Sequence, residues 1–169
     1  MSDPVIESRR VTLVPKTLEA VRARIDRMTA AERAELSSDW LAQLDSAAVD
    51  HWTLGFDIVE RATDVVLGGC GYKGPPPTDG TVEIAYHVAA PYRGRGFATE
   101  AAAALVGHAF DSGLVGKVRA HTLSASNASA RVLTKCGFHT VGEITDPEDG
   151  VVWRWEIERD EHLLTPRGL

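Results

Sequence analysis

Eight residues, Arg93 to Glu100, combine two arginines with three small residues at a spacing that suits phosphate binding. The segment reads R-G-R-G-F-A-T-E and stands between an alternating strand pattern and an alanine-rich helix pattern. Gly94, Gly96 and Ala98 allow a tight turn and a close approach of the backbone to a ligand. The first N–H groups of the following helix lack partners within it and carry about half a positive charge. We therefore predict a cradle for a pyrophosphate. The simpler alternative is a glycine-rich turn with two solvated arginines.

Two well-known phosphate-binding loops do not match this segment. A P-loop closes with Lys-Ser or Lys-Thr, and Phe97-Ala98 stands there instead. A dinucleotide-binding loop follows the first strand and precedes an acidic residue by about twenty positions. Here the loop lies in mid-chain, and residues 117–122 contain no acid. A nucleotide-binding module is therefore a weak alternative.

Hydrophobic periodicity predicts the elements that must position this loop. Their order is β-α-α-β-β-β-α-β-α-β-β, a mixed α/β fold around one sheet, and we expect one domain over residues 1–169 with a loose tail from about 159. The predicted strands cover residues 10–14, 52–61, 65–71, 81–89, 117–123, 138–144 and 151–157. The predicted helices cover residues 17–28, 29–44, 97–112 and 128–136.

Composition narrows the function classes. The chain has 169 residues, 44% of them hydrophobic and 25% charged, which is ordinary for a globular protein. A net charge of −6 argues against general nucleic-acid binding. It does not exclude a basic substrate, since an acidic rim would help to attract an amine or a basic peptide. No apolar run approaches the roughly 20 residues of a membrane span, and the start lacks a signal-peptide pattern. Cys70 and Cys136 share no metal-ligand spacing, so we expect buried free thiols in a cytoplasmic protein.

Four motifs in order resemble the RimJ/RimL-type branch of the GNAT N-acetyltransferases. They are V-E-I-A-Y-H-V, the pattern Arg-x-x-Gly-x-Ala from Arg93 to Ala98, T-E-A, and S-A-R-V-L-T-K-C-G-F. The resemblance covers roughly residues 52–157. It implies a mostly antiparallel sheet flanked by helices, acetyl-CoA as acetyl donor without a metal, and an amine acceptor, either a protein N-terminus or a small molecule. A homodimer is the assembly considered.

The resemblance also implies how the cofactor is held. The central strand would splay from its neighbour at a bulge, the N–H of Tyr86 or His87 would polarise the thioester carbonyl, and Val88 would bond the pantetheine arm. The alternative for Val88 and Phe97 is ordinary apolar packing. The implied cofactor-binding residues are Tyr86, Val88, Arg93, Gly94, Arg95, Gly96, Phe97, Ala98, Thr99 and Asn127.

A base must keep the acceptor amine uncharged, and Glu83 is the first candidate. It stands among apolar residues of the central strand, where an acid is costly unless paired or useful. Its alternative role is a salt bridge or hydrogen bond that fixes the sheet. Glu148 in the last hairpin, His87 on the same strand face as Glu83, and water are further candidates.

The leaving thiolate needs a proton or a hydrogen bond. Many GNAT enzymes use a tyrosine in the last helix, and Leu133 stands at that place, beside Thr134. Ser129 matches a serine of the related branch and is our candidate; it could instead cap its own helix. The family asparagine is displaced to Asn127, which would take over its cofactor contact or mark a shifted loop.

Two classes of function remain open. One is an N-acetyltransferase in which the amine attacks the thioester directly within a ternary complex. The other is a GNAT-fold protein that binds CoA as a sensor or has little activity. Three tryptophans, Trp40, Trp52 and Trp153, are candidates for the wall of the acceptor pocket, although large aromatics more often lie in the core.

Overall fold

The structure is a computed structural model that describes residues 3–46, 48–147 and 149–164. Its strands form one eight-stranded sheet in the order β1-β2-β3-β4-β5-β6-β8-β7. The strands are β1 (Ile6–Glu7), β2 (Val11–Pro15), β3 (Phe56–Glu60), β4 (Val66–Tyr72), β5 (Thr81–Val88), β6 (Lys117–Thr122), β7 (His139–Asp146) and β8 (Gly150–Glu158). Only the central pair β5 and β6 is parallel, and the other neighbours are antiparallel. The predicted mixed, mostly antiparallel α/β fold is confirmed.

Seven helices flank the sheet in the described part of the chain. They are α1 (Leu18–Asp26), α2 (Ala30–Ala34), α3 (Ser38–Leu44), α4 (His51–Leu54), α5 (Phe97–Asp111), α6 (Ala128–Lys135) and α7 (Arg159–Leu164). Between the described limits, none of these helices combines the length and the apolar character that crossing a membrane requires.

Helix α5 forms the main core against the sheet. Ala101, Ala102 and Ala109 are fully buried on it, and such small side chains let the helix lie close to the strands. Leu105 is also fully buried, and its carbonyl oxygen accepts a hydrogen bond from the hydroxyl of Tyr72 on β4. The helix that follows the predicted cradle is therefore fixed to the sheet along its length.

A second, smaller apolar cluster lies under the first helices. Val21, Leu44 and Leu54 are its buried members, and Trp40 and Leu41 pack against them. This cluster joins α1, α3 and α4 into a layer apart from the main core.

The predicted single helix over residues 29–44 is wrong, because two caps divide it. Thr29 and Glu32 form a capping box at the start of α2. The side chain of Ser37 then accepts a hydrogen bond from Trp40 N and begins α3.

Three further differences concern short elements. The strand predicted from residue 52 begins at Phe56, because Trp52 belongs to α4 and Gly55 intervenes at φ +77°. The strand β1 was not predicted, because it has only two residues. The tail is helical over Arg159–Leu164 rather than loose, and the rest of that prediction lies outside the described residues.

Candidate active site

The two central strands separate partway along their length. Strands β5 and β6 pair only from Thr81, opposite Lys117, to Glu83, opposite Arg119, although β5 continues to Val88 and β6 to Thr122. The predicted splay is therefore present, but the predicted bulge is not at this position. The register of β5 with β4 runs without a shift from Ile84 to Val88. The gap opens because the parallel partner diverges, and β5 itself stays regular.

The ladder on the other side of β5 decides which backbone groups face this gap. Glu83 O accepts from Lys73 N, and Ala89 N donates to Leu67 O, so the odd-numbered residues of β5 bond to β4. In an antiparallel ladder the intervening residues point their N–H and C=O groups the opposite way. The amides of Tyr86 and Val88 therefore face the gap. Of the two predicted oxyanion donors, Tyr86 N–H has the right direction and His87 N–H does not.

The predicted cradle begins directly beyond β5. A 3-10 turn, Ala90–Tyr92, leads into Gly94 and Gly96, whose φ angles are +76° and +84°. Gly96 is the N-cap of α5, and the first helical hydrogen bond runs from Glu100 N to Gly96 O. The preceding amides, those of Phe97, Ala98 and Thr99, thus have no acceptor within the helix. This geometry suits an anion at the helix start.

A cleft of about 380 Å³ joins the gap to the cradle. Its walls come from the end of β5, the cradle and the first turns of α6. The lining residues are Tyr86, His87, Val88, Tyr92, Arg93, Gly94, Gly96, Phe97, Ala98, Thr99, Ala128, Ser129, Arg131, Val132 and Lys135. Arg131 and Lys135 add cationic side chains on the α6 wall that the sequence analysis did not single out. Their helical spacing of four residues places both on one face and was the available signal.

The two arginines of the cradle have different positions. Arg93 lines the cleft, and its Nε donates to Val88 O over 2.8 Å, which fixes the guanidinium at the end of β5. The guanidinium of Arg95 instead lies 5.0 Å from the centre of the Phe97 ring and 3.8 Å from Glu60. Arg95 does not line the cleft, so its predicted cofactor contact would have to come from its backbone.

Glu100 fixes the start of α5 from outside the cleft. Its carboxylate accepts hydrogen bonds from Arg10 and from Val11 N. These bonds hold the pKa of Glu100 below its ordinary value despite partial burial. Arg10 Nη1 also donates to Arg95 O, so one arginine of β2's leading loop secures the loop and the helix together.

Tyr86 and Ser129 meet in the cleft. The Tyr86 hydroxyl lies 3.0 Å from Ser129 Oγ and donates a longer bond to Ser129 O. Burial raises the pKa of Tyr86 to about 12, so its hydroxyl keeps its proton. The sequence motif points to Tyr86 only as a backbone N–H donor, and the contact of its hydroxyl with Ser129 was not predicted.

The cap of α6 comes from Asn127 and not from Ser129. Asn127 Oδ1 accepts from Ala130 N over 2.9 Å, and Asn127 does not line the cleft. Because Asn127 caps the helix, the Ser129 hydroxyl is not needed as a cap and faces Tyr86. The alternative role of Ser129 as a capping residue is therefore not what the structure shows. Thr134 donates to Ala130 O within the helix, and Leu133 is fully buried. The cofactor contact of Asn127 stays a prediction.

A second pocket, of about 270 Å³, borders the same segment of β5. It shares Tyr86 and His87 with the cleft, and strand alternation directs these neighbouring side chains to opposite faces of the sheet. Lys16 and Arg24, at the end of β2 and on α1, also line it. Desolvation at the pocket wall, together with Lys16, Arg24 and Arg93, lowers the pKa of His87, so the imidazole is neutral at pH 7.

Gly69 leaves room where the second pocket meets His87. It pairs with His87 across β4 and β5, and a Cβ added there would lie 3.1 Å from Lys16 Nζ and 3.2 Å from His87 Cε1. The ammonium and the imidazole therefore flank one point above the sheet. Sequence analysis missed Lys16 and Gly69, since their sequence positions are far from the motifs.

Glu83 has two partners. Its Oε2 lies 2.6 Å from Lys73 Nζ, and its Oε1 lies 3.2 Å from His121 Nδ1, although the latter contact lacks the alignment of a hydrogen bond. Arg154 Nε donates to His121 Nε2, so the proton of a neutral His121 is on Nδ1 and faces Glu83. Glu83 lines neither the cleft nor the second pocket. Glu148 lies outside the described residues.

The three tryptophans differ in position. Trp40 lines the second pocket, and its Nε1 donates to Thr53 O. Trp52 is buried in the main core against Tyr72, and Trp153 packs on that core. Only Trp40 is thus placed as a pocket wall. Cys70 and Cys136 are buried free thiols, as predicted.

A sheet of this order, split between two central strands beside a glycine-lined helix start, is the fold of the acetyltransferase class. The sequence model of the acetyltransferase (GNAT) domain matches residues 1–139, and the chain belongs to this family.

Similar proteins agree with this assignment. The chain is 26% identical over 110 residues to the uncharacterized N-acetyltransferase p20 of Bacillus licheniformis, covering 65% of this chain and 62% of that protein. It is 32% identical over 92 residues to the uncharacterized N-acetyltransferase YjdG of Bacillus subtilis (strain 168), covering 53% and 55%. The matched segments thus span less than two thirds of either relative. The crystal structure of aminoglycoside acetyltransferase AAC(6')-Ib with coenzyme A and kanamycin has the same fold, with a TM-score of 0.64 at 18% identity over 92% of this chain and 98% of that one.

Proposed function

We propose that this protein is an N-acetyltransferase that transfers the acetyl group of acetyl-CoA directly to a primary amine. The observation that carries the proposal is the split of β5 from β6, which turns the Tyr86 and Val88 amides towards a cleft that ends at the cradle. A pantetheine arm can pair with such a free strand edge while the pyrophosphate lies on the helix start. The same chemistry needs no metal.

In this proposal the residues of the cleft bind and activate the donor. The amides from Gly94 to Thr99 hold the pyrophosphate, with Arg93 beside them. Tyr86 N–H donates to the thioester carbonyl as negative charge develops there, a contribution typically worth ~2.7–4 kcal/mol of barrier. The acetyl carbon then lies where the two pockets share Tyr86 and His87.

The amine enters from the second pocket. Its nitrogen attacks the thioester carbon, a C–N bond forms, and the excess proton of the tetrahedral intermediate passes to a base. His87 is the base that the geometry favours, because it borders both pockets and is neutral at pH 7. Glu83 stays a candidate base, but its contacts with Lys73 and His121 also fit its alternative role in fixing the sheet.

The C–S bond then breaks and the thiolate leaves. The Tyr86 and Ser129 hydroxyls form a pair of donors in the cleft for this sulfur. A phenol whose pKa is raised to about 12 serves as a hydrogen-bond donor, because it does not ionise near neutral pH. Tyr86 would therefore supply from β5 what a helix tyrosine supplies elsewhere in the family.

Release of free CoA in the presence of an amine panel, with mass detection of the acetylated product, tests the proposal. We expect amine-dependent release that exceeds hydrolysis without amine. Binding of acetyl-CoA with no product from any amine would instead support the CoA-binding sensor. The RimJ/RimL resemblance implies a protein N-terminus or a small-molecule amine as acceptor, so the panel includes both.

A further inference from the structure

The second pocket is positively charged in a protein that is negative overall. Its lining includes Lys16 and Arg24 and, within the described residues, no Asp or Glu. An adjoining pocket of about 270 Å³ shares Lys16 and Arg24 and adds Arg27, against one acid, Asp57. The net charge of the chain is −6, so the composition does not explain this local excess of cations.

Lys16 is the most constrained of these cations. Its side chain is only 18% exposed, and its Nζ lies 4.0 Å from Asp57 Oδ1, the outer limit of an ion pair. Burial lowers the pKa of Lys16; the carboxylate of Asp57 opposes this shift, and the neighbouring Arg24 adds to it. An anion stabilises a half-buried ammonium beside a guanidinium, and Asp57 at 4.0 Å meets this need only in part.

The backbone holds Lys16 in this position. Lys16 follows Pro15, the last residue of β2, its N–H donates to Gly55 O, and Thr17 immediately after it caps α1. The residue is therefore fixed between a strand end and a helix start. Arg24 projects from the same helix two turns later, so both cations belong to one rigid unit.

We propose that the acceptor carries an anionic group, a carboxylate or a phosphate, close to its reacting amine, and that Lys16 and Arg24 bind this group. The inference rests on the proposed function and names the acceptor class. Gly69 leaves space between Lys16 Nζ and His87 Cε1, so an amine beside His87 places a nearby anion beside Lys16. Acceptors with several positive charges are disfavoured by the same cations. Within the described residues, no acidic side chain lines this pocket to attract a basic acceptor.

Matched acceptors test the inference. Phosphoethanolamine is compared with ethanolamine, and glycyl-aspartate with glycyl-asparagine, by kcat/KM at saturating acetyl-CoA. Both dipeptides are amidated at the C-terminus, so the aspartate side chain is the only carboxylate in the pair. Each pair differs in one anionic group, and the two pairs distinguish phosphate from carboxylate. We expect the anionic member of at least one pair to be favoured about tenfold or more, since hydrogen bonds to charged groups are among the stronger ones.

Two variants identify the residues responsible. Lys16→Gln and Arg24→Gln should each reduce the preference for the anionic member severalfold. Arg22→Gln is the matched control, because Arg22 lies on α1 but bonds to Leu44 O and Asp45 and lines neither pocket. The control should keep the full preference.

A binding measurement separates this inference from the proposed function. Calorimetric titration of the CoA-saturated protein with phosphoethanolamine, glycyl-aspartate and their neutral partners needs no turnover. Tighter binding of an anionic member that is weakened in Arg24→Gln supports the inference even if no amine is acetylated. Equal or better use and binding of the neutral members, or a preference unchanged in both variants, overturns it.

Discussion

The Tyr86 and Ser129 hydroxyls lie 3.0 Å apart, one on β5 and the other in the first turn of α6. They therefore join the two walls of the cleft at the place where a thioester sulfur would leave. If both donate to the sulfur, either alone can partly support its departure.

Removal of Ser129 should therefore slow turnover without abolishing it. A thiolate has an ordinary pKa near 8.5 and needs only modest help, so we expect Ser129→Ala to lower kcat by about ten- to hundredfold. Tyr86→Phe should have an effect of similar size, and the double variant should lose much more than either. An acyl donor with a more acidic thiol should reduce all three effects. No loss in the double variant would show that water or Thr134 protonates the sulfur.

Gly96 should be essential for cofactor binding. Its φ of +84° disfavours any side chain, and a Cβ would lie 3.1 Å from the Arg10 guanidinium, which secures the loop through Arg95 O. Gly96→Ala, or the bulkier Gly96→Val, should abolish acetyl-CoA binding in calorimetry. Gly113→Ala is the matched control, because Gly113 follows the other end of α5 at φ +76° and carries the same backbone cost away from the cleft. Equal loss of affinity in both alanine variants would mean that only helix stability changed.

The pH dependence of turnover should report His87. Its lowered pKa means that the neutral imidazole forms below its ordinary value of about 6.5, so kcat should rise through that acidic range and reach a plateau by pH 7. Aminoacetonitrile is a weakly basic acceptor, so it is uncharged over the upper part of this range, and its own titration is the same with every variant. Arg24→Gln removes a cation near His87 and should move the rise of kcat to higher pH. In His87→Gln the rise of kcat with pH in the acidic range should disappear, and kcat itself should fall by ~10²-fold or more.

Glu83→Gln distinguishes the second candidate base. If Glu83 is the general base, Glu83→Gln should lower kcat by ~10²-fold or more with little change in cofactor affinity. If Glu83 instead fixes the sheet through Lys73 and His121, Glu83→Gln should lower the midpoint temperature of thermal unfolding and leave the plateau value of kcat nearly unchanged. Lys73→Met is the useful comparison, because it breaks the same ion pair and keeps the carboxylate.

Acid should destabilise the fold through His108. Its Nε2 lies 3.1 Å from His51 Nε2, and burial together with His51 lowers its pKa. The unfolded chain therefore binds a proton below about pH 6.5 that the folded chain resists, and the free energy of unfolding should fall as pH decreases. The slope from this residue is at most about 1.4 kcal/mol per pH unit. Urea unfolding of His108→Gln over this pH range should show a smaller dependence of the free energy of unfolding on pH than unfolding of the unsubstituted protein.

The sequence predicted the parts of the fold that depend on local pattern. Strand alternation and the glycines of the cradle are local signals, and each was found at its position. The division of residues 29–44 was missed although Thr29, Glu32 and Ser37 carry capping chemistry, because the apolar spacing runs on through the break.

The candidate site was predictable only on its cofactor side. Its wall from β5 to the start of α5 is one continuous segment, so the motif there could be read directly, whereas α6 contributes Arg131 and Lys135 from a distant segment. Lys16, Gly69 and Arg24 come together through the pairing of β2, β3 and β4 and the packing of α1. No spacing in the sequence predicts that these three residues are close to one another. The contacts of Glu83 with Lys73 and His121 likewise depend on neighbouring strands.

The small apolar cluster of Val21, Leu44 and Leu54 gives the first helices an interior of their own. The segment that borders the positively charged pocket can therefore accumulate substitutions without disturbing the packing of α5 against the sheet. During evolution, this separation would allow the proposed acceptor pocket to change while the proposed acetyl-CoA-binding cleft stays the same. Exchange of residues 16–44 between relatives would be the corresponding experiment in protein engineering.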